Sequence, residues 1–270
     1  MGKYIIDEER MKAVEENYKR VLNQVRECAV KAGRKETEVR LMCVTKTVEP
    51  PYINKALELG ADLIGENRVQ EYLGKRDDLE LNGVEKHLIG HLQTNKVRQI
   101  VGEVDMIESV SSFKLAKEIS RVSALRGIVT HCLAEVNIGM EESKSGIMPQ
   151  ELVETLYQIS ELPAIRIDGL MAIPPICEDQ EEARRYFAQV RQYFIDIKDK
   201  KIDNLDMNIP SMGMSADYPA AIAEGSNIVR VGSAIFGARR YILEAALWDF
   251  LISLRISSVK TTMMILMIFM

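Results

Sequence analysis

A single (β/α)8 TIM barrel preceded by an N-terminal helix is the fold this sequence predicts. Three observations lead there. Short apolar runs alternate with stretches of helical apolar spacing, eight such runs occur before Tyr241, and no linker rich in proline, glycine or serine divides the chain. Strands alternating with helices imply a parallel sheet covered by helices. Eight such units in one domain suit a closed barrel better than an open doubly wound sheet.

Each element has a local reason. Residues 7–32 carry Met11, Val14, Tyr18, Val21, Leu22 and Val25 at helical spacing, and Gly33 follows as the glycine that ends a helix. Leu41, Met42, Cys43 and Val44 form the centre of the first strand, over 39–45. "PPYINKALELG" opens a helix on proline and closes it on Gly60. "ADLIGEN" is a short strand with its helix over 68–75, and "KHLIG" is the next, with a helix over 95–101. "DMIESV" precedes a helix over 112–125, capped by Ser112 and striped by Phe113, Ala116 and Ile119. "IVTHCLAEVNI" leads to a helix over 149–159, and "AIRIDGLMAI" to the long amphipathic helix 179–198. "LDMNIP" leads to 216–223, and "NIVRVG" to a helix that begins over 235–239.

Composition sets the surroundings. Apolar residues make up 47% and charged residues 28% of the chain, as in soluble globular proteins. A net charge of −5 gives no long-range attraction to nucleic acid or to an anionic membrane. Cys28, Cys43, Cys132 and Cys177 form no C-x-x-C pair, so buried cytosolic thiols are expected rather than a zinc site or disulfides. The start, "MGKYIIDEERMKAVEENYKR", is acidic and lacks the apolar stretch of a signal peptide. A cytoplasmic protein is expected.

In such barrels, functional groups gather just after the strands. Lys46 stands where the first apolar run stops. A lysine amine there can condense with a carbonyl to give a Schiff base, and partial desolvation would favour the neutral nucleophile. The alternative is a lysine that extends its ammonium to solvent. Glu66 could form an ion pair or an acid/base pair with it. "SMGMS" (211–215) and "RVGS" (230–233) follow the seventh and eighth runs, the usual phosphate position. Glycine there lets backbone approach closely, serine hydroxyls donate, and Arg230 could supply charge. Both stretches could also be plain tight turns. A Schiff-base lysine and a phosphate cradle together would suit pyridoxal 5′-phosphate (PLP). Other motifs fail: "GSAIFG" lacks the Lys-Ser/Thr ending of a P-loop, no G-x-G-x-x-G occurs, and the three histidines, His87, His91 and His131, assemble no metal set.

The stretches "VTKTVEP", "GENRVQE", "HLIGHLQTNK", "NIGMEESKSGI", "GLMAIPP" and "SMGMSADYPAAIAEGSNIVRVGSAIFGAR" together resemble the YggS/PROSC family of pyridoxal phosphate homeostasis proteins. They run in family order through residues 1–241. The resemblance implies a PLP-binding barrel over 1–241, like the N-terminal domain of bacterial alanine racemase. It also implies that Lys46 holds PLP as a Schiff base and that Asn67 lines the site near the ring. Ser211, Ser215, Arg230, Gly232 and Ser233 match the segments that surround the phosphate, and Lys144 matches a family lysine thought to take part in cofactor handling. Two places depart from the family: His91 in "GHLQ" stands where proline is common, and residues 242–270 extend past the usual end. That tail could hold a helix over 242–254 or reflect a frameshift. Asp249, Arg255 and Lys260 interrupt it, which disqualifies it as a membrane span.

The function this resemblance implies is reversible PLP binding, buffering the cofactor and delivering it to apo-PLP enzymes. No robust amino-acid catalysis is expected. Racemases and decarboxylases on this barrel add a second, β-rich domain, and nothing of that size follows Tyr241. A small stand-alone PLP enzyme, racemase-like, is the alternative. A monomer is expected, with no nucleic-acid or membrane partner.

Overall fold

A computed structural model describes residues 3–177 and 179–238. The chain up to Gly237 forms one compact unit. The expected boundary at residue 241 and the tail over 242–270 lie outside the described residues.

The first helix, α1 (Glu8–Lys31), begins at Asp7, whose carboxylate accepts the Arg10 N–H at 3.1 Å. Such a cap contributes about 1 kcal/mol. Val14, Tyr18, Val21, Val25 and Ala29 form its buried stripe, the spacing that puts side chains on one helix face. Eight strands follow: β1 (Arg40–Val44), β2 (Leu63–Glu66), β3 (Glu85–Leu88), β4 (Met106–Val110), β5 (Thr130–Val136), β6 (Ile165–Ala172), β7 (Leu205–Met214) and β8 (Ile228–Val231). Each pairs in parallel with the next, and β8 returns to β1 through Arg40↔Ile228 to Cys43↔Val231, closing the barrel. The covering helices are α2 (Pro50–Glu58), α3 (Val69–Lys75), α4 (Val97–Ile100), α5 (Phe113–Leu125), α6 (Leu152–Ser160), α7 (Gln180–Asp199), α8 (Tyr218–Ala223) and α9 (Ser233–Phe236).

The main core lies between the strands and these helices. Leu41, Cys43, Val229 and Val231 face outward into the layer that also holds the α1 stripe. Met42, Val44, Leu63, Ile89 and Ile228 face inward as a smaller cluster, and Met106, Leu133 and Met171 form another. This alternation is the period-2 geometry of a strand. Inside, polar residues replace part of the apolar filling usual in such barrels: His87, Glu108, Ser211 and Arg230 are all buried.

Several elements differ from the sequence expectation; the last helix, expected to begin over 235–239, is Ser233–Phe236, ended by Gly237 at φ +87°. The helix expected over 95–101 is a 3-10 turn, Thr94–Lys96, followed by the one-turn α4. The helix expected from 216 begins at Tyr218, because the Asp217 carboxylate turns back to accept the Met214 N–H at 2.5 Å. The largest difference is β7, which runs to Met214 rather than ending near 210. Gly213, at φ +93°, allows a register shift between Ser211 and Met214, and pairing with β8 resumes at Met214↔Arg230. Serine and glycine signal a turn locally, but the neighbouring strand supplies partners that keep the segment in the sheet.

Candidate functional site

Lys46 lies at the C-terminal mouth of the barrel. It follows Val44 by two residues, in the turn just past β1, and is half-buried. β1 lies between β2 and β8, so the flanking strand ends carry Asn67 on one side and Gly232–Ser233 on the other. The loop leaves the sheet through a tight turn in which the Val48 N–H donates to the Thr45 carbonyl at 3.1 Å. Thr47 sits there at φ +59°, a conformation strained for a β-branched residue.

Asn67 is half-buried, and its Oδ1 is a buried oxygen without a hydrogen-bond partner. The β3 loop passes very close to it. A Cβ on Gly90 would lie 2.2 Å from the Asn67 carbonyl oxygen, so only glycine lets the two backbones meet. Ser109 holds this crossing from within β4, donating to the Gly90 carbonyl at 2.7 Å. A second orphan oxygen at this end is Glu135 Oε2 in β5; the other oxygen accepts from Ser145 at 2.9 Å. Burial pushes the Glu135 carboxyl up, opposed by Ser145 and by the charges of His91 and Arg230.

On the opposite edge, Ser233 Oγ lies 3.3 Å from Ser215 Oγ. Gly232 passes close to β1, where an added Cβ would meet the Val44 carbonyl oxygen at 3.2 Å. Ser211 is not in a loop beside these hydroxyls, where the sequence reading puts it. Ser211 lies within β7 and Arg230 within β8, both buried. Arg230 donates through Nη1 to the Ser211 carbonyl (2.7 Å) and Oγ (2.8 Å), and through Nη2 to the Ala172 carbonyl (2.9 Å). The Ser211 hydroxyl in turn donates to Glu108 at 2.7 Å. Glu108 accepts from His87 Nδ1 at 2.6 Å, and His87 Nε2 meets Glu85 at 2.8 Å. Glu85 closes on Arg40 at 2.6 Å. A polar thread therefore crosses the barrel interior from its N-terminal rim to Arg230. Burial pushes the His87 imidazole down, but its bonds to Glu108 and Glu85 outweigh this and raise it to about 9. Burial also drives Glu108 up, but His87, Arg230 and Ser211 hold it below the usual carboxylate range. Arg230 is lowered by burial, with Glu108, Asp217 and Glu135 opposing.

Behind the mouth, between the barrel wall and α3, lies a second charged group. Lys75 Nζ meets Glu66 Oε1 at 2.6 Å and Glu71 Oε1 at 3.1 Å. Glu66 thus pairs with Lys75, and burial pushes its carboxyl up against the pull of Lys75 and Thr45. Sequence reasoning missed Lys75, His87 and Glu108. The Glu71–Lys75 spacing of i,i+4 was a visible signal, but it usually marks an exposed pair. His91 is exposed on its loop, and Lys144 lies 3.5 Å from Glu141. Among the described residues no cluster of His, Cys, Asp and Glu could hold a metal, and no helix is long and apolar enough to cross a membrane.

Half-buried Lys46 thus follows β1, with Asn67 after the neighbouring β2 and Gly232–Ser233 after the neighbouring β8. The profile of the alanine racemase N-terminal domain matches residues 11–240. A pyridoxal phosphate homeostasis protein of Aquifex aeolicus is 40% identical over 84% of this chain and 98% of its own length. That of Escherichia coli is 36% identical over 86% and 99%. PipY of Synechococcus elongatus, solved with PLP bound, superposes with a TM-score of 0.69 at 35% identity, over 74% of this chain and 93% of its own. An alanine racemase from Corynebacterium glutamicum shares the fold, with a TM-score of 0.66 at 18% identity over 86% of this chain and 62% of its own.

Proposed function

Because this chain belongs to the alanine racemase N-terminal-domain family, and within it to the pyridoxal phosphate homeostasis proteins, we propose that it binds PLP reversibly on Lys46, buffers the cofactor and passes it to apo-enzymes. The observation that carries this reading is Lys46, half-buried at the mouth between the strand ends that bear Asn67 and Gly232–Ser233. Bound there, PLP supplies an aldehyde that condenses with the lysine amine, the carbonyl oxygen leaving as water. Lys46 provides the amine and Asn67 its unsatisfied oxygen. Ser215, Gly232 and Ser233 form the phosphate edge. Ser211 and Arg230 act from inside the barrel, where their bonds to each other and to β6 fix the floor beneath the ligand.

Storage rather than turnover is supported by the relatives matched along nearly their whole length, which carry the homeostasis name. Action as a cytoplasmic monomer belongs to the same reading. The test is spectroscopic. Wild-type protein given PLP should show a Schiff-base absorption band, and Lys46→Ala should lose it. After borohydride reduction, peptide mapping should find the pyridoxyl group on Lys46; finding it solely on another lysine would overturn the assignment. Amino-acid turnover at roughly 1 per second or faster would replace storage with catalysis.

A further inference from the structure

The loop that carries Lys46 is held from behind, one polar contact after another. The Thr45 N–H donates to the Gly65 carbonyl at 3.0 Å. The Thr45 carbonyl accepts from Lys75 Nζ at 2.7 Å, and the Val48 carbonyl lies 3.5 Å from the same ammonium. The Thr47 N–H donates to Glu71 Oε1. The Thr45 hydroxyl donates to Glu66 Oε1, the oxygen that also meets Lys75. Lys75 is 7% exposed and Glu66 1% exposed, so this cluster is shielded from the solvent that would otherwise weaken it. A lysine this buried is rare unless it is paired, as Lys75 is with Glu66 and Glu71. Here its donors reach both carbonyls that bracket Lys46 and Thr47. The contact to Glu71 also fixes the N–H of Thr47, the residue held at φ +59°.

We propose that Lys75, with Glu66 and Glu71, is a positioning residue for Lys46: it clamps the backbone of residues 45–48 from outside the barrel wall and so sets where the Lys46 amine stands. This rests on the reading of Lys46 as the PLP-bearing lysine. Residue 46 follows the outward-facing Thr45 and precedes the strained Thr47, so a clamp on those two neighbours fixes the direction in which its side chain leaves the loop. Without the clamp, Thr47 can relax to the negative φ it prefers, which turns the Lys46 side chain away from the mouth. Lys75 touches neither the mouth nor the ligand; it acts through the backbone.

The test uses the full chain and PLP itself. Lys75→Met alone leaves Glu66 buried and unpaired, so the main variant is Lys75→Met with Glu66→Leu, which replaces the pair by apolar side chains of similar size. A second variant, Glu71→Leu, removes the Thr47 acceptor and keeps the buried pair. For each, thermal stability without ligand, the PLP dissociation constant and the pH at which the Schiff-base band titrates are measured. The expected result is a folded double variant that binds PLP about tenfold more weakly or worse and whose band titrates at a shifted pH. Glu71→Leu should change both in the same direction by less. A purely structural role would lower stability and leave the titration of the band in place. Wild-type affinity and wild-type titration in a folded double variant, with the wild-type label mapped to Lys46, would overturn the clamp alone. A label that maps elsewhere in the wild type would overturn the Lys46 reading instead.

Discussion

Two buried charged clusters sit on opposite sides of the barrel wall, and they use their hydrogen bonds differently. Inside, Glu85, His87, Glu108 and Ser211 bond to one another, and Arg230 ties Ser211 to the backbone of β6 and β7. Both ring nitrogens of His87 and both oxygens of Glu108 are taken up within the thread. Outside, Lys75 keeps its carboxylate partners Glu66 and Glu71 and also reaches the carbonyls of a loop. The difference teaches what each cluster does. A network whose bonds all stay among the strands of the barrel secures that barrel and is a matter of stability. A cluster that reaches into the backbone of a neighbouring loop sets the geometry of whatever that loop presents.

If that contrast holds, breaking the inner thread should cost stability first. His87→Leu strands Glu108 and Glu85 without their shared partner. Removing one member of a buried charged pair costs about 3–5 kcal/mol, so urea unfolding of the ligand-free protein should show a loss of that order. A loss under about 1 kcal/mol would mean that the thread is not the stabilising system.

The inner thread also predicts a pH dependence. His87 is raised from 6.5 to about 9, so the folded chain holds this proton more tightly than the unfolded chain does. Its stabilisation is fully present below pH 6.5 and is lost as pH rises through about 9. The shift corresponds to on the order of 3 kcal/mol. Glu85 behaves in the opposite sense: held down to about 2, chiefly by His87, it loses its contribution only as pH falls through that value. Urea midpoints measured on either side of pH 9 check the first statement, and in His87→Leu the alkaline decline should shrink.

The smallest effects separate the floor from the rim. Arg230→Gln removes charge from the thread's upper end, so it should weaken PLP and pyridoxal, which lacks the phosphate, to a similar degree and lower the melting temperature of the ligand-free protein. Ser233→Ala acts only at the exposed edge. It should weaken PLP by a few-fold, in keeping with about 1 kcal/mol for a hydrogen bond, and leave pyridoxal binding level. Selective loss of PLP in Arg230→Gln would instead place that guanidinium on the phosphate.

Much of this was legible in the chain. Eight apolar runs with helical stretches between them identify the barrel, because alternation and spacing are properties of consecutive residues. The end of the first run singles out Lys46 for the same reason. The motif "SMGMS" misleads: its serines and glycine read as a turn, and only pairing with β8 keeps Ser211 in the sheet. Arg230 sits in the strand that "NIVRVG" predicts, but only the bulge in β7 and the closure of the barrel bring Ser211 and Ala172 to it.

The sequence by itself determined the order of elements, the closed parallel architecture and the lysine at the mouth, since each follows from local periodicity and from where an apolar run stops. Tertiary structure alone decided which charges from different elements of the chain meet. Glu66 and Lys75 are brought together by the packing of α3 on β2, and Glu108 meets Ser211 across 103 residues of chain. The physical reason is that a buried charge is stable only with a partner in contact, and in a closed barrel that partner comes from a strand or helix whose position no local pattern encodes.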